Sequence, residues 1–204
     1  MNKMWIFSTL AIAITLSIGI IQALYIFQSR IALTEDFEQL PGDGNFGEWT
    51  ANGHVPIDPN GPGNPVQWHI RRAANVSRSG LYSAEFFIDG TQDDGTIWLE
   101  RKINVKANTQ IRVGVSFWLY SEQESFNTIA AVVAYAGVTK PFFEEDFAVV
   151  GAANEAVGWK KYVYTLTLNT DSSGDLWVAV GISVRWETCM TYYIDDVKIE
   201  VVEA

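Results

Sequence analysis

Residues 110–121 read Gln-Ile-Arg-Val-Gly-Val-Ser-Phe-Trp-Leu-Tyr-Ser, a run in which two kinds of side chain alternate. Successive residues of a β-strand point to opposite faces of the sheet, so this period predicts a strand that is buried on one side only. The face assigned to the core carries Val113, Val115, Phe117 and Leu119. The face assigned to the outside carries Arg112, Ser116, Trp118 and Tyr120.

Runs of similar length recur from Leu33 to the C-terminus, separated by Gly, Asn, Asp, Ser and Pro, and no sustained helical period interrupts them. The predicted strands are Thr34 to Glu38, Val66 to Val76, Leu81 to Ile88, Thr96 to Val105, Gln110 to Ser121, Asn127 to Ala136, Trp159 to Leu168, Leu176 to Trp186 and Thr191 to Val202. The Pro- and Gly-rich stretch Asn52 to Pro65 is predicted to be a long surface loop. We therefore expect an all-β fold, a two-sheet antiparallel β-sandwich of the jelly-roll type, preceded by one N-terminal hydrophobic helix.

That hydrophobic helix is expected in residues 4–27, which are almost entirely apolar. At about 1.5 Å per residue, such a run is long enough to cross a hydrocarbon layer of about 30 Å. Lys3 favours a cytoplasmic N-terminus, with the rest of the chain outside. Residues 1–30 are thus predicted to be a transmembrane signal anchor, with a cleaved signal peptide or a filament-subunit helix as alternatives, and residues 31–204 the exported domain.

The composition excludes several classes of function. The 204 residues are 48% hydrophobic and 13% aromatic, which is enough to build a core. A net charge of −10 repels phosphate backbones, so nucleic acid is not an expected partner. The single cysteine, Cys189, excludes an internal disulfide framework and is predicted to be a small buried residue.

Four short motifs occur in a characteristic order. They are Asp36-Phe37-Glu38, Ser79-Gly80-Leu81-Tyr82-Ser83, Gly158-Trp159-Lys160-Lys161-Tyr162 and the closing Tyr192-Tyr193-Ile194-Asp195-Asp196-Val197-Lys198-Ile199. In order and spacing they resemble the β-jelly-roll carbohydrate-binding modules of the cellulase and xylanase type, with their galactose-binding-like relatives. The resemblance extends over residues 34 to 202.

The resemblance implies a structural calcium ion. Glu38 and Asp195 would supply carboxylate oxygens, and residues 76 to 79, with Ser77 and Ser79, would supply further oxygens. Calcium prefers six to eight such ligands and can join remote segments of a chain. The alternative is that these carboxylates cap strand ends or pair with lysines.

The resemblance also implies a glycan ligand. Sugar rings have an apolar C–H face, so a binding surface needs an aromatic platform beside fixed hydrogen-bonding groups. Four aromatic residues alternate with the predicted core residues and form the candidate platform: Trp98, Trp118, Tyr120 and Trp177. Their candidate polar partners are Glu100, Arg112 and Arg185, and Trp49 and Trp68 are candidates to close one end of a cleft. Any of these aromatic residues has a core role as its alternative.

Catalysis is not expected. His54 and His69 are the only histidines, and no Gly-x-Ser-x-Gly nucleophile motif occurs. The acidic run Glu144-Glu145-Asp146 is predicted to be a solvated loop.

The predicted function is therefore non-catalytic binding of a polysaccharide or glycoconjugate by an exported domain tethered to the membrane through residues 4–27. The alternative is a structural or adhesion ectodomain, or a filament subunit, that contacts other proteins or associates with its own copies.

Overall fold

The structure is a computed structural model that describes residues 30–39, 46–90, 92, 94–186 and 189–204. These residues form eleven strands and one short 3-10 helix, Glu144–Asp146. The strands are β1 Arg30–Glu35, β2 Thr50–His54, β3 Trp68–Ala73, β4 Ser83–Ile88, β5 Thr96–Asn104, β6 Gln110–Ser121, β7 Ala130–Gly137, β8 Ala148–Ala152, β9 Gly158–Asn169, β10 Asp175–Val184 and β11 Met190–Glu203.

The strands form two antiparallel sheets. The six-stranded sheet has the order β3-β4-β11-β6-β9, with β1 paired to β11, and the five-stranded sheet has the order β2-β5-β10-β7-β8. From β4 to β11 the chain passes repeatedly from one sheet to the other, so neighbours within a sheet are mostly distant in sequence. The predicted all-β, two-sheet antiparallel sandwich is confirmed.

Strand β11 is the centre of the six-stranded sheet. One of its sides pairs with β6, and the other pairs first with β4 and then with β1. Between Asp195 and Lys198 the register with β6 shifts, and Asp196 has a φ of 50°. This bulge turns the Asp195 and Asp196 side chains toward the loop that precedes β4.

The core lies between the sheets and follows the alternation of the strands. Val113, Val115, Phe117 and Leu119 are all fully buried, which confirms the predicted inner face of β6. The β10 residues Leu176, Val178, Val180 and Ile182 face them from the opposite sheet and are also fully buried. Each such side chain contributes about 1.5–3 kcal/mol relative to an exposed one, so the two central strands supply much of the hydrophobic stabilisation.

Several predictions about the fold were wrong. The predicted loop Asn52 to Pro65 begins inside β2, and β8 was not predicted at all. Cys189 is exposed rather than buried. Trp49 is buried in the core and Trp68 packs against it, so neither closes a cleft.

The predicted hydrophobic helix in residues 4–27 lies outside the described residues. Within the part of the chain that the structure describes, no helix has the length and apolar character needed to span a membrane.

Candidate functional site

The four predicted platform residues lie on two different outer faces of the sandwich. Trp118 and Tyr120 lie on β6 of the six-stranded sheet, whereas Trp98 and Trp177 lie on β5 and β10 of the five-stranded sheet. None of them belongs to the core cluster between the sheets, but Trp98 is fully buried. A single platform made of all four is wrong, because the two sheets place the pairs on opposite sides of the molecule.

The outer face of the five-stranded sheet is covered by the connection between β7 and β8, residues 138–147, called the covering segment below. Phe147 packs on Trp98 with the ring centroids 4.9 Å apart, and Trp98 is fully buried. Glu100 is 1% exposed and accepts a 2.8 Å hydrogen bond from Nε1 of Trp98. Lys140 Nζ reaches the same carboxylate at 2.7 Å. Trp98 and Glu100 are therefore engaged with the protein itself and are not available at the surface as the sequence predicted.

Glu144 attaches the covering segment to the five-stranded sheet at a second point. Its carboxylate accepts a hydrogen bond from Thr96 Oγ1 at 3.0 Å and pairs with Arg185 Nη1 at 2.7 Å. Burial raises the pKa of Glu144, but the hydrogen bond from Thr96 and the charge of Arg185 lower it by more, so the net shift is downward. Glu144 is thus not part of a solvated loop, and Arg185 already has an anionic partner. Trp177 remains partly exposed, with Lys140 Nζ 5.6 Å from its ring centroid.

The outer face of the six-stranded sheet, called the open face below, carries a row of aromatic side chains, of which Tyr120 and Trp159 are partly exposed and Tyr193 is buried. Tyr120 lies between Trp159 and Tyr193, with ring centroids 5.4 and 6.0 Å away. Next to this row, the Arg78 guanidinium lies 3.9 Å above the ring centroid of Trp118. Such stacking fixes the orientation of the Trp118 ring and leaves an aromatic surface beside a cation.

An open groove of about 470 Å³ lies along β6, β9 and β11, and its lining residue Lys161 is the strand partner of Trp118. Its cationic lining residues are Arg112, Lys161 and Lys198. Within the described chain, no carboxylate forms an ion pair with any of these three, whereas the groove residue Glu200 is paired with Arg30 at 2.5 Å. Gly114 lies on the groove floor, where an added Cβ would meet only the Glu200 carbonyl oxygen, at 3.9 Å. Arg112, named from the sequence, is thus brought onto the same face as Trp118 and Tyr120.

Sequence analysis missed Glu85, at the other side of the open face. It is 5% exposed and pairs with His69 Nε2 at 3.0 Å and Arg71 Nε at 2.6 Å. Burial raises the pKa of Glu85, but the hydrogen bonds with His69 and Arg71 lower it more, so the net shift is downward. A carboxylate within the apolar run Ser83–Ile88 was the signal that could have found it.

The predicted calcium residues meet at one loop, residues 77–82. Glu38 Oε1 accepts hydrogen bonds from the backbone N–H groups of Leu81 and Tyr82 at 2.8 and 2.7 Å. Asp195 Oδ2 accepts from the backbone N–H groups of Arg78 and Ser79 at 2.8 and 3.1 Å. These remote segments of the chain therefore meet at one loop.

The donor set around these carboxylates differs from that of a calcium site. Calcium needs oxygen ligands, whereas the oxygens of Glu38 and Asp195 accept N–H groups. Ser77 Oγ donates to the Gly80 carbonyl and Ser79 Oγ donates to Asp196, at 3.3 and 2.8 Å. Burial raises the pKa of Asp195 although its N–H donors lower it. A cation would therefore require the loop to turn its N–H groups away, and calcium stays a prediction.

No cluster of three or more His, Cys, Asp or Glu side chains suited to a metal occurs among the residues that the structure places. The predicted calcium site combines only two carboxylates with hydroxyl and carbonyl oxygens, so it is not a cluster of this kind.

Fold and surface together define a β-sandwich domain with one covered and one open outer face. No protein-family model matches the chain, and the comparison with curated proteins finds no match. Among solved structures, it is similar to the CBM22-1 xylan-binding domain of Paenibacillus barcinonensis Xyn10C, with 16% identity over 84% of this chain and 94% of that one, at a TM-score of 0.47. It is also similar to TmCBM61 in complex with beta-1,4-galactotriose, with 16% identity over 79% and 92% of the two chains, at a TM-score of 0.45.

An adhesin domain is similar to a comparable degree. The K3 cleaved adhesin domain of Lys-gingipain from Porphyromonas gingivalis has 15% identity over 84% of this chain and 99% of its own, at a TM-score of 0.45. Carbohydrate-binding modules are thus among the solved structures similar to this chain, as the sequence motifs predicted. The likeness concerns the fold.

Proposed function

We propose that this chain is a non-catalytic carbohydrate-binding domain whose ligand lies along the open face of the six-stranded sheet. The observation that carries the proposal is the open groove, whose lining residue Lys161 lies opposite the partly exposed Trp118 on the neighbouring strand. Trp118 and Tyr120 offer apolar surface to the C–H faces of sugar rings, and the groove beyond them offers hydrogen-bond donors to hydroxyl groups. The five-stranded sheet supports the function less well, because its Trp98 and Glu100 are buried.

The charges of the groove favour an acidic glycan. Arg112, Lys161 and Lys198 line it without ion-pair partners in the described chain, although the whole protein has a net charge of −10. Cations left unpaired on an acidic protein favour a ligand that brings its own carboxylate or sulfate groups. Electrostatic attraction of this kind weakens as salt screens it.

The shape of the groove favours an extended chain over a single terminal sugar. Trp118 and Arg112 are six residues apart on the same face of β6, which corresponds to about 20 Å at 3.4 Å per residue. A ligand that contacts both ends must therefore lie along the strand. We infer that several consecutive units of one polysaccharide are bound.

The experiment compares binding of the chain to neutral and acidic polysaccharides at low and high salt. We expect retention on an acidic polysaccharide that decreases as salt increases. Gly114→Val would place a branched side chain on the groove floor and should abolish retention, because the Cβ position above Gly114 is open. Thr50→Val, on the exposed edge of the other sheet, is the matched control and should bind like the wild type. Equal binding by Gly114→Val and the wild type would exclude the groove, and no retention on any polysaccharide would exclude the function.

We also propose, from the sequence alone, that the domain is exported and held at the cytoplasmic membrane by residues 4–27. Membrane fractionation of the full chain tests this proposal. Recovery of a soluble mature protein that begins near Tyr25 would contradict it.

A calcium ion between Glu38 and Asp195 is a further proposal, supported by the convergence of both carboxylates on residues 77–82. Binding of an ion to the native state would raise its stability by mass action, so chelation should lower the melting temperature.

A structural or adhesion role is the second candidate. It is favoured by large apolar side chains that are exposed in loops: Phe126, Phe142, Phe143 and Trp186. Side chains of this kind often contact a partner protein. Self-association without retention on any glycan would favour this role over the first.

A further inference from the structure

Strand β9 is an unusually long strand at the edge of the six-stranded sheet. It has twelve residues, whereas the other ends of the two sheet paths, β2, β3 and β8, have five or six. All twelve residues of β9 pair with β6 on one side. No strand of the described chain pairs with its other side, so a row of backbone N–H and C=O groups is available there.

After Lys161, the sequence of β9 lacks the charged residues that usually help to prevent edges from pairing. It contains no proline, and its register with β6 is continuous without a bulge. Proteins normally protect edges with such features or with very short strands, because an open edge is a template for another strand. The core-facing side chains Tyr164, Leu166 and Leu168 are only partly buried at this edge. A further strand would cover them.

We propose that two copies of this chain associate through antiparallel pairing of β9 with β9, about a twofold axis at Thr165. A twofold axis perpendicular to the sheet keeps both open faces on the same side and places residue i opposite residue 330 − i. On the outer face this brings Thr165 opposite Thr165, Val163 opposite Thr167, and Lys161 opposite Asn169. β-branched pairs of this kind suit neighbouring strands, and no like charges lie opposite each other.

A second copy fits this edge because the antiparallel register keeps the lysines of the two β9 strands apart. The strand contains Lys160 and Lys161 and no acidic residue, whereas the chain as a whole has a net charge of −10. In the antiparallel arrangement the two Lys161 residues are eight positions apart, or about 27 Å at 3.4 Å per residue. That distance exceeds the screening length of about 8 Å at physiological salt, so the lysines do not oppose association.

Pairing would join the two six-stranded sheets into one continuous sheet of twelve. The two grooves, which both include β9 residues, would then lie side by side on one face. If the proposed glycan function holds, the dimer binds a polymer at two points and gains avidity. The dimer itself does not depend on that function and is tested without any glycan.

Cysteine cross-linking in the full chain tests the pairing and its register. In a Cys189→Ser background, Thr165→Cys places two cysteines opposite each other, with Cα atoms about 4.5–5.5 Å apart, within the range for a disulfide. Thr167→Cys is the matched control, because its two copies would be about 14 Å apart along the same strand. We expect Thr165→Cys to form a reducible covalent dimer under mild oxidation and Thr167→Cys to stay monomeric on the same gel.

A mixture of Val163→Cys and Thr167→Cys chains gives a second test, because these positions face each other only in the proposed register. We expect the mixture to cross-link although neither variant does so alone. Circular dichroism of each variant verifies that it is folded. Absence of a Thr165→Cys dimer in folded protein, or equal cross-linking at positions 165 and 167, would overturn the proposal.

Discussion

Two neighbouring residues of β6 test which side of the strand faces the core and which side faces the open face. Phe117 is fully buried between the sheets, whereas Trp118 points to the open face and is partly exposed under the Arg78 guanidinium. Replacing a buried Phe by Ala typically costs about 3–5 kcal/mol, because transfer energy is lost and a cavity remains. Trp118→Ala removes a cation–π contact of about 0.5–1 kcal/mol and some partial burial, for a total of about 1–2 kcal/mol.

For a domain of this size, 1 kcal/mol shifts the melting temperature by about 2–4 °C. Phe117→Ala should therefore lower it by about 6–20 °C, and Trp118→Ala by about 2–8 °C. Urea unfolding gives the free energies of unfolding. It is monitored by circular dichroism, because removing Trp118 would itself change the tryptophan fluorescence. Trp118→Ala should also lose affinity for an acidic polysaccharide. If it destabilises the domain as much as Phe117→Ala does, Trp118 is a core residue and the open face is not a sugar platform.

Three further outcomes are expected. Lys140→Met should lower the free energy of unfolding in urea by about 3 kcal/mol, because it leaves the buried Glu100 carboxylate without its ion-pair partner. Adding Glu100→Gln to Lys140→Met should restore most of that loss. If the effects of the two substitutions simply add in the double variant, the pairing is contradicted. A chelator should lower the melting temperature of the wild type but not that of Glu38→Gln, whose amide oxygen still accepts the backbone N–H groups. If the chelator leaves the melting temperature of the wild type unchanged, the calcium proposal is removed. The folded-state pKa of Glu85 lies below its unfolded value, so Glu85 contributes stability at neutral pH that is lost as the pH falls through the folded pKa. The difference in melting temperature between pH 7 and acidic pH should therefore be smaller in Glu85→Gln than in the wild type. An unchanged difference would refute this.

The direction of each side chain could be predicted from sequence, because alternation within a strand is a local property. Phe117 and Trp118 were assigned to the correct faces for that reason. The sheet to which a strand belongs is set by pairing between remote segments, which alternation does not encode. Trp98 and Trp118 were therefore placed on one platform although they lie on different sheets.

The burial of the five-stranded face could not be predicted either. It depends on residues 138–147, whose proline, aromatic and acidic residues are typical of a surface loop. Only in the folded chain does this segment lie over Trp98 and exchange ion pairs with the sheet. Strand β2 was missed because Gly53 precedes a Pro-rich stretch. In the structure a Cβ at Gly53 would lie 3.1 Å from Ile97, so the small residue fits a close contact.

The central position of β11 determines when the domain can be completed during synthesis. Arg30 pairs with Val202, and β4 and β6 each have β11 as their second neighbour, yet β11 is the last of these strands to leave the ribosome. At about 5–20 residues per second, the 172 residues that separate these partners take about 9–34 s to make. During that interval the earlier strands of the six-stranded sheet have no central strand to join. A nascent chain halted before residue 190 should therefore remain sensitive to protease in the strands of the six-stranded sheet.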